Sequence, residues 1–106
     1  MLLCVVVFIA PVLGQEDAQT LITKGNDFLG QGKYEEAIKC YDKAIEIKPD
    51  YALAWYNKGY TLRRQGKSEE VLKCYDRAIK IKPDYVDAWF GKGIIYLCKA
   101  GFFLFL

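Results

Sequence analysis

Residues 39–51 read KCYDKAIEIKPDY, and residues 73–85 repeat them almost unchanged as KCYDRAIKIKPDY. The offset is 34 residues, and one full period compared with the next has 19 identical positions in 34. A third copy starts later, because AWFGKG at 88–93 corresponds to AWYNKG at 54–59. A fixed period of this length is typical of stacked supersecondary units that cannot bury their apolar faces alone.

Each copy predicts a pair of α-helices. Apolar residues recur at helical spacing, and no segment shows the sustained alternation of a half-buried strand. Gly32 and Gly66 are expected to end the first helix of their pairs, because glycine tolerates the left-handed turn that reverses the chain. Asp50 and Asp84 are expected to cap the helix that follows. The predicted fold class is therefore all-α.

Glycines also recur inside the first helix of each copy, at positions 25, 59 and 93. Glycine in a helix interior costs about 1 kcal/mol relative to alanine, so a packing reason is expected. We predict that all three lie on the buried stripe and let the paired helix approach closely. Large side chains such as Tyr41 and Tyr75 then fill the space between units.

These residues resemble the tetratricopeptide repeat (TPR) family, whose 34-residue pattern combines aromatic, glycine, alanine and proline positions. The first copy matches it with Leu21, Gly25, Phe28, Ala37, Tyr41, Ala44 and Pro49; the second with Trp55, Gly59, Tyr75, Ala78 and Pro83; the third with Trp89, Gly93 and Tyr96. The resemblance implies a right-handed α-solenoid of antiparallel helix pairs. Lysine occupies the family's leucine position in every copy, and we expect its stem to lie on the core with its amine in water.

The repeats divide the chain into four segments. Residues 18–51 and 52–85 form two full repeats, and residues 86–106 form a partial third repeat with an apolar tail. Residues 1–14 are uncharged and apolar, which predicts either a signal peptide cleaved after Gly14 or an apolar N-terminal helix. A signal peptide predicts export to the cell surface or secretion; without one, the prediction is a cytoplasmic protein.

The family resemblance implies a non-catalytic interaction module, or scaffold, that presents a concave groove to a peptide or a partner helix. The groove is lined by the first helix of each pair. Carried onto this sequence, the expected peptide-binding residues are Asn26, Tyr56, Asn57, Tyr60, Arg63, Arg64 and Phe90. Aromatic rings beside arginines favour a ligand with apolar anchors and some negative charge.

One TPR subclass binds the C-terminal carboxylate of a peptide with two asparagines and three cationic side chains. Asn26 and Asn57 match its asparagine positions. Ile22, Asp87 and Gly91 occupy the places of its cations, so the sequence disfavours this mode of recognition.

Composition argues against other classes of function. The chain has no histidine, which removes the commonest general base and metal ligand, and it contains no recognisable catalytic motif. We therefore predict no enzyme activity, no metal site and no cofactor. The net charge is +2 without a basic block, which argues against nucleic-acid binding. Cys40 and Cys74 are expected to remain free thiols, too far apart for a disulfide.

Two alternatives remain open from the sequence. The third copy departs abruptly from the pattern at KAGFFLFL, as expected of a truncated fragment of a longer array without independent function. The apolar segments at both ends would instead suit a membrane-associated assembly factor, although each is too short to span a bilayer.

Overall fold

The computed structural model describes residues 16–101, and this part of the chain folds into five α-helices. They are α1 (Ala18–Gly30), α2 (Tyr34–Ile47), α3 (Ala52–Arg64), α4 (Ser68–Ile81) and α5 (Val86–Lys99). No strand occurs within this range, which confirms the all-α prediction. Each full repeat contributes two helices, and the partial third repeat contributes α5.

The turns within each repeat form as the sequence predicts. Gly32 and Gly66 have φ values of 75° and 78°, a conformation that side chains other than glycine rarely adopt. The tight reversal packs α2 back against α1 and α4 back against α3. Helices joined by such short turns run antiparallel, so α1, α3 and α5 all point the same way.

The turns between repeats differ from the prediction. Tyr51 and Tyr85 hold the N-cap positions of α3 and α5, and neither cap has a side-chain hydrogen bond. The prediction that Asp50 and Asp84 cap these helices is wrong, because each aspartate lies one residue too early. A true side-chain cap occurs at α1, where Asp17 Oδ1 accepts a hydrogen bond of 2.7 Å from the Thr20 amide.

Two tyrosines occupy the centre of the helix pairs. Tyr41 on α2 and Tyr75 on α4 are completely buried. A Cβ placed on Gly25 would lie 2.9 Å from Tyr41 Cδ1, and one placed on Gly59 would lie 2.8 Å from Tyr75 Cε1. The predicted contact of a large ring with a glycine is therefore confirmed in both full repeats.

The same prediction is wrong for Gly93. This glycine is exposed, and a Cβ there would have no atom within 4 Å, because no second helix of its own repeat lies across from it in the described chain. Gly91 takes part in the packing instead. A Cβ on Gly91 would lie 2.6 Å from Tyr75 Cε2, on the opposite edge of the ring from Gly59.

Ion pairs connect one repeat to the next. Lys58 Nζ on α3 lies 2.7 Å from Asp42 Oδ1 on α2, and Lys92 Nζ on α5 lies 2.6 Å from Asp76 Oδ1 on α4. The hydrogen bond to Asp76 raises the pKa of Lys92. The stems of these lysines were expected to lie on the core with their amines in water. The two side chains are instead half-buried, and each amine pairs with a carboxylate of the preceding helix pair.

The predicted N-terminal segment 1–14 and residues 102–106 of the apolar tail lie outside the described residues. Across residues 16–101, no helix is sufficiently long and apolar to cross a membrane.

Candidate peptide-binding groove

The first helices of the three repeats, α1, α3 and α5, form the face that the sequence predicts to bind a peptide. The central helix α3 contacts α1 directly and packs on both α2 and α4. Residues of α3 are consequently supported from three sides. Five of the seven predicted binding residues lie on this helix, and the other two, Asn26 and Phe90, lie on its neighbours.

A hydrogen-bond network joins the two predicted asparagines. Asn26 Oδ1 accepts a bond of 2.7 Å from the Tyr41 hydroxyl and one of 3.1 Å from Asn57 Nδ2. Buried Thr61 donates to the Asn57 carbonyl at 2.9 Å. The network connects α1, α2 and α3, and it fixes both amides on the surface of the groove.

The asparagine pair lacks the cations of a carboxylate-binding site. Ile22 is buried in the first core cluster, and Gly91 packs against the ring of Tyr75. Asp87 adds a negative charge on the first turn of α5. A terminal carboxylate placed here would meet amides but none of that subclass's cationic side chains at these positions.

Tyr56 is the centre of an aromatic cluster. Its ring stacks on Tyr75 with centroids 5.5 Å apart and lies 5.3 Å from Tyr85 and 6.4 Å from Tyr60. Burial, followed by the nearby negative charge of Asp87, raises the pKa of Tyr56. We call Tyr56, Tyr60 and Tyr85 the aromatic wall; it is anchored on the core through Tyr75 and therefore needs little ordering when a ligand binds.

The two predicted arginines make different contacts. Arg63 lies over the Tyr60 ring, 5.0 Å from its centroid, and thus extends the aromatic wall with a positive charge. Arg64 lies 5.9 Å from the Tyr34 ring centroid, with Nη2 3.4 Å from the Tyr34 hydroxyl. The nearby hydroxyls of Tyr60 and Tyr34 raise the pKa of Arg64.

Both arginines have unused capacity for an anionic ligand. Neither forms an ion pair with a carboxylate among residues 16–101. The Nε atom of Arg63 is buried and has no hydrogen-bond acceptor in the same part of the chain.

Phe90 stands apart from the aromatic wall. Its side chain is 69% exposed on α5, and it stacks on none of the described aromatic rings. The structure thus brings together Asn26 with Asn57, and Tyr56 with Tyr60 and Arg63.

Sequence reasoning missed two contributors to this face, Tyr41 and Tyr85. Tyr41 was predicted only to fill the core, but its hydroxyl also donates a hydrogen bond to the side-chain amide oxygen of Asn26 in the groove. Tyr85 lies in the turn before α5 and completes the aromatic wall. The signal for Tyr41 was the presence of tyrosine where phenylalanine would fill the same space, because a buried hydroxyl requires a partner.

The fold and this surface define an all-α repeat protein built from stacked antiparallel helix pairs. Two family models match the sequence of the chain: "TPR repeat" at residues 25–66 and "Tetratricopeptide repeat" at residues 52–85. Together the matches extend from residue 25 to residue 85 of the 106. The chain belongs to the tetratricopeptide repeat family.

Curated relatives match over short segments. A TPR repeat-containing protein of Methanocaldococcus jannaschii is 39% identical over 41 residues, which are 39% of this chain and 7% of that protein. The Hsp70-Hsp90 organising protein of Plasmodium falciparum is 49% identical over 35 residues, which are 33% of this chain and 6% of that protein. The matched region is therefore a small part of these longer relatives.

Solved structures match over most of the chain. The second TPR of Spaghetti (RPAP3), bound to the HSP90 peptide SRMEEVD, has a TM-score of 0.77 at 29% identity, covering 81% of this chain and 80% of that chain. MamA has a TM-score of 0.78 at 26% identity, covering 85% of this chain and 49% of that chain. The first of these chains has a peptide as its partner.

Proposed function

We propose that the chain is a non-catalytic interaction module whose groove binds an acidic peptide segment with apolar anchors. The observation that carries this proposal is the aromatic wall with Arg63 at its edge, a guanidinium that pairs with no carboxylate among residues 16–101. Tyrosine and arginine are the residues that most often dominate the binding energy of protein interfaces. The similarity to a TPR structure that contains the HSP90 peptide supports a peptide as the class of partner.

The arrangement of charges suggests an orientation for the ligand. Asp87 lies on the first turn of α5, whereas Arg63 and Arg64 lie in the last turn of α3. Because α3 and α5 run parallel, the negative and positive groups are at opposite ends of the groove. The acidic residues of the peptide are placed near the arginines, and apolar side chains lie on Tyr56 and Tyr60.

In this proposal the groove contacts side chains within the peptide. This distinguishes it from recognition of the peptide's C-terminal carboxylate. A library of seven-residue peptides, displayed with both ends joined to a carrier, offers no free C-terminal carboxylate. Selection on the full chain is expected to enrich peptides that combine Asp or Glu with Leu, Met, Phe or Val. Enriched peptides are then made synthetically and their binding is measured by calorimetry.

Tyr60→Ala and Arg63→Glu are expected to weaken binding of the selected peptides, each by at least about tenfold. Tyr96→Ala and Arg77→Ala are matched controls on exposed residues outside the groove, and they are expected to bind like the unchanged chain. The proposal fails if no acidic, apolar peptides are enriched, or if all four variants bind them equally well.

A further inference from the structure

A pocket lies on the first repeat, between the start of the described chain and the end of α2. Its volume is about 350 Å³, and it is lined by Glu16, Leu21, Lys43, Glu46 and Ile47. A cavity of about 150 Å³ is already sufficient for a benzene ring. The pocket therefore has room for an aromatic side chain.

The second repeat shows which side chain belongs at this position. Leu21 on α1 corresponds to Trp55 on α3, and Lys43 on α2 corresponds to Arg77 on α4. In the second repeat the two residues meet, because the Arg77 guanidinium lies 5.3 Å from the centroid of the Trp55 ring. The first repeat has the cation but not the indole. Its pocket thus corresponds to the space that an aromatic ring occupies one repeat later.

The exposure of two equivalent isoleucines agrees with this comparison. Ile81 is the last residue of α4 and is partly buried, whereas Ile47, the last residue of α2, is 54% exposed and lines the pocket. An exposed isoleucine beside an open space gains stability when another apolar group covers it. The first repeat therefore lacks an apolar group that the second repeat carries within its own sequence.

The residues that precede α1 are the nearest source of such a group. The described chain begins at Glu16, and Glu16 itself lines the pocket. The sequence before it is uncharged from Leu2 to Leu13 and contains one aromatic residue, Phe8. Eight positions separate Phe8 from Glu16, and an extended chain of that length covers about 26 Å. The linking residues are therefore long enough for the Phe8 ring to reach the pocket.

The repeat period also relates Phe8 to this part of α1. Position 8 is one period before Asp42, whose Oδ1 atom lies 2.7 Å from the α3 lysine that corresponds to Lys24. Phenylalanine cannot form this ion pair, and Lys24 pairs with Glu16 at 3.0 Å instead. Lys24 lies three positions after Leu21, on the same side of α1. A chain that keeps the repeat register therefore brings Phe8 beside the pocket.

We propose that residues 1–14 of the uncleaved chain pack against the first repeat, with the Phe8 ring in the pocket between Leu21 and Lys43. The ring covers Ile47 and takes the place that the indole has in the second repeat. This site is distinct from the groove, because none of the predicted peptide-binding residues lines it. The segment then closes the N-terminal end of the solenoid.

A double-mutant cycle on the full chain tests this contact by urea unfolding followed by circular dichroism. Phe8→Ala is expected to lower the urea midpoint by about 0.5–1 M, because it removes a buried ring from the pocket. Leu21→Trp supplies the indole of the second repeat and displaces the Phe8 ring. In that background, Phe8→Ala is expected to change the midpoint by less than about 0.2 M.

Leu29→Trp is the matched control for this cycle. It places the same side chain on α1, but Leu29 does not line the pocket. Phe8→Ala is therefore expected to keep its full effect on the urea midpoint in the Leu29→Trp background.

Cleavage of the full chain by chymotrypsin separates local release of the segment from global unfolding. The enzyme can cut after Phe8 only when the ring leaves the pocket, so the rate follows the population of the released state. Leu21→Trp is expected to accelerate this cleavage at least about tenfold, whereas Leu29→Trp is not. Cleavage after Phe28, within α1, is the internal reference, because global unfolding would accelerate it as well.

Several results would overturn the proposal. One is an equal effect of Phe8→Ala in all three backgrounds, and another is equal cleavage after Phe8 with and without Leu21→Trp. If the coupling disappears on dilution together with a dimer seen by sedimentation, the segment of a second copy occupies the pocket. If free indole binds to the unchanged full chain and Leu21→Trp abolishes that binding, the pocket is open to an external ligand instead.

Discussion

Tyr75 illustrates how one residue joins three helices. Its ring lies on α4, between Gly59 of α3 and Gly91 of α5, and it also stacks beneath Tyr56 in the groove. A Cβ added on either glycine would come within 3 Å of the ring. The ring cannot move away from one helix without moving into another. The clash between the added Cβ and the ring therefore cannot be relieved at a low cost in free energy.

This geometry predicts that the same substitution has opposite effects on the free energy of unfolding at two glycines that occupy equivalent positions in successive repeats. Gly59→Ala is expected to lower the free energy of unfolding by about 1–3 kcal/mol, because overpacking outweighs the gain in helix propensity. Gly93→Ala has open space and is expected to raise it by up to about 1 kcal/mol. Urea unfolding followed by circular dichroism measures both. Equal effects of the two substitutions would contradict the described packing.

At the scale of the elements, periodicity alone identified the helix pairs and the turns at Gly32 and Gly66. The reason is that a buried stripe at helical spacing and a glycine with positive φ are both local requirements of the chain. The caps at Asp50 and Asp84 could not be predicted in this way. Whether an aspartate caps a helix depends on the exact residue at which the turn ends, and here the helices begin one residue later than expected.

The candidate groove was predictable to a similar degree. Tyr56, Tyr60 and Arg63 lie near one another because their spacing places them on one side of α3. Tyr85 escaped prediction because it belongs to a turn, and its ring reaches Tyr56 only through the packing of successive repeats. The burial of Gly93 was predicted wrongly because alignment with Gly59 equates positions in sequence, whereas burial depends on the helix opposite.

Helix α5 is held to the rest of the described chain mainly through α4. Gly91→Ala is expected to loosen this contact, because its Cβ would lie 2.6 Å from a ring that Gly59 holds on the other side. Hydrogen exchange followed by mass spectrometry should show faster exchange in residues 86–99, with little change in α1 and α2. Gly93→Ala, on the same helix, is the control and should not accelerate exchange. Uniform acceleration across all five helices would contradict a local role.

For the whole molecule, buried tyrosines connect folding to pH. Burial raises the pKa of Tyr41 and of Tyr75 to about 12 each, whereas a tyrosine in an unfolded chain titrates near 10. The unfolded chain therefore loses these protons first as the pH increases. Stability from the two neutral phenols is fully present below pH 10 and is lost between about pH 10 and 12.

The expected size of this loss follows from the size of the pKa change. A change of about two units corresponds to roughly 2–3 kcal/mol for each tyrosine, so the urea midpoint should fall steeply above pH 10. Tyr75→Phe removes one of these ionisations and is expected to reduce the slope of stability against pH by about one proton. It retains the ring that fills the space between Gly59 and Gly91, which separates the effect of charge from that of packing. An unchanged slope in this variant would show that ionisation of Tyr75 does not contribute to alkaline unfolding.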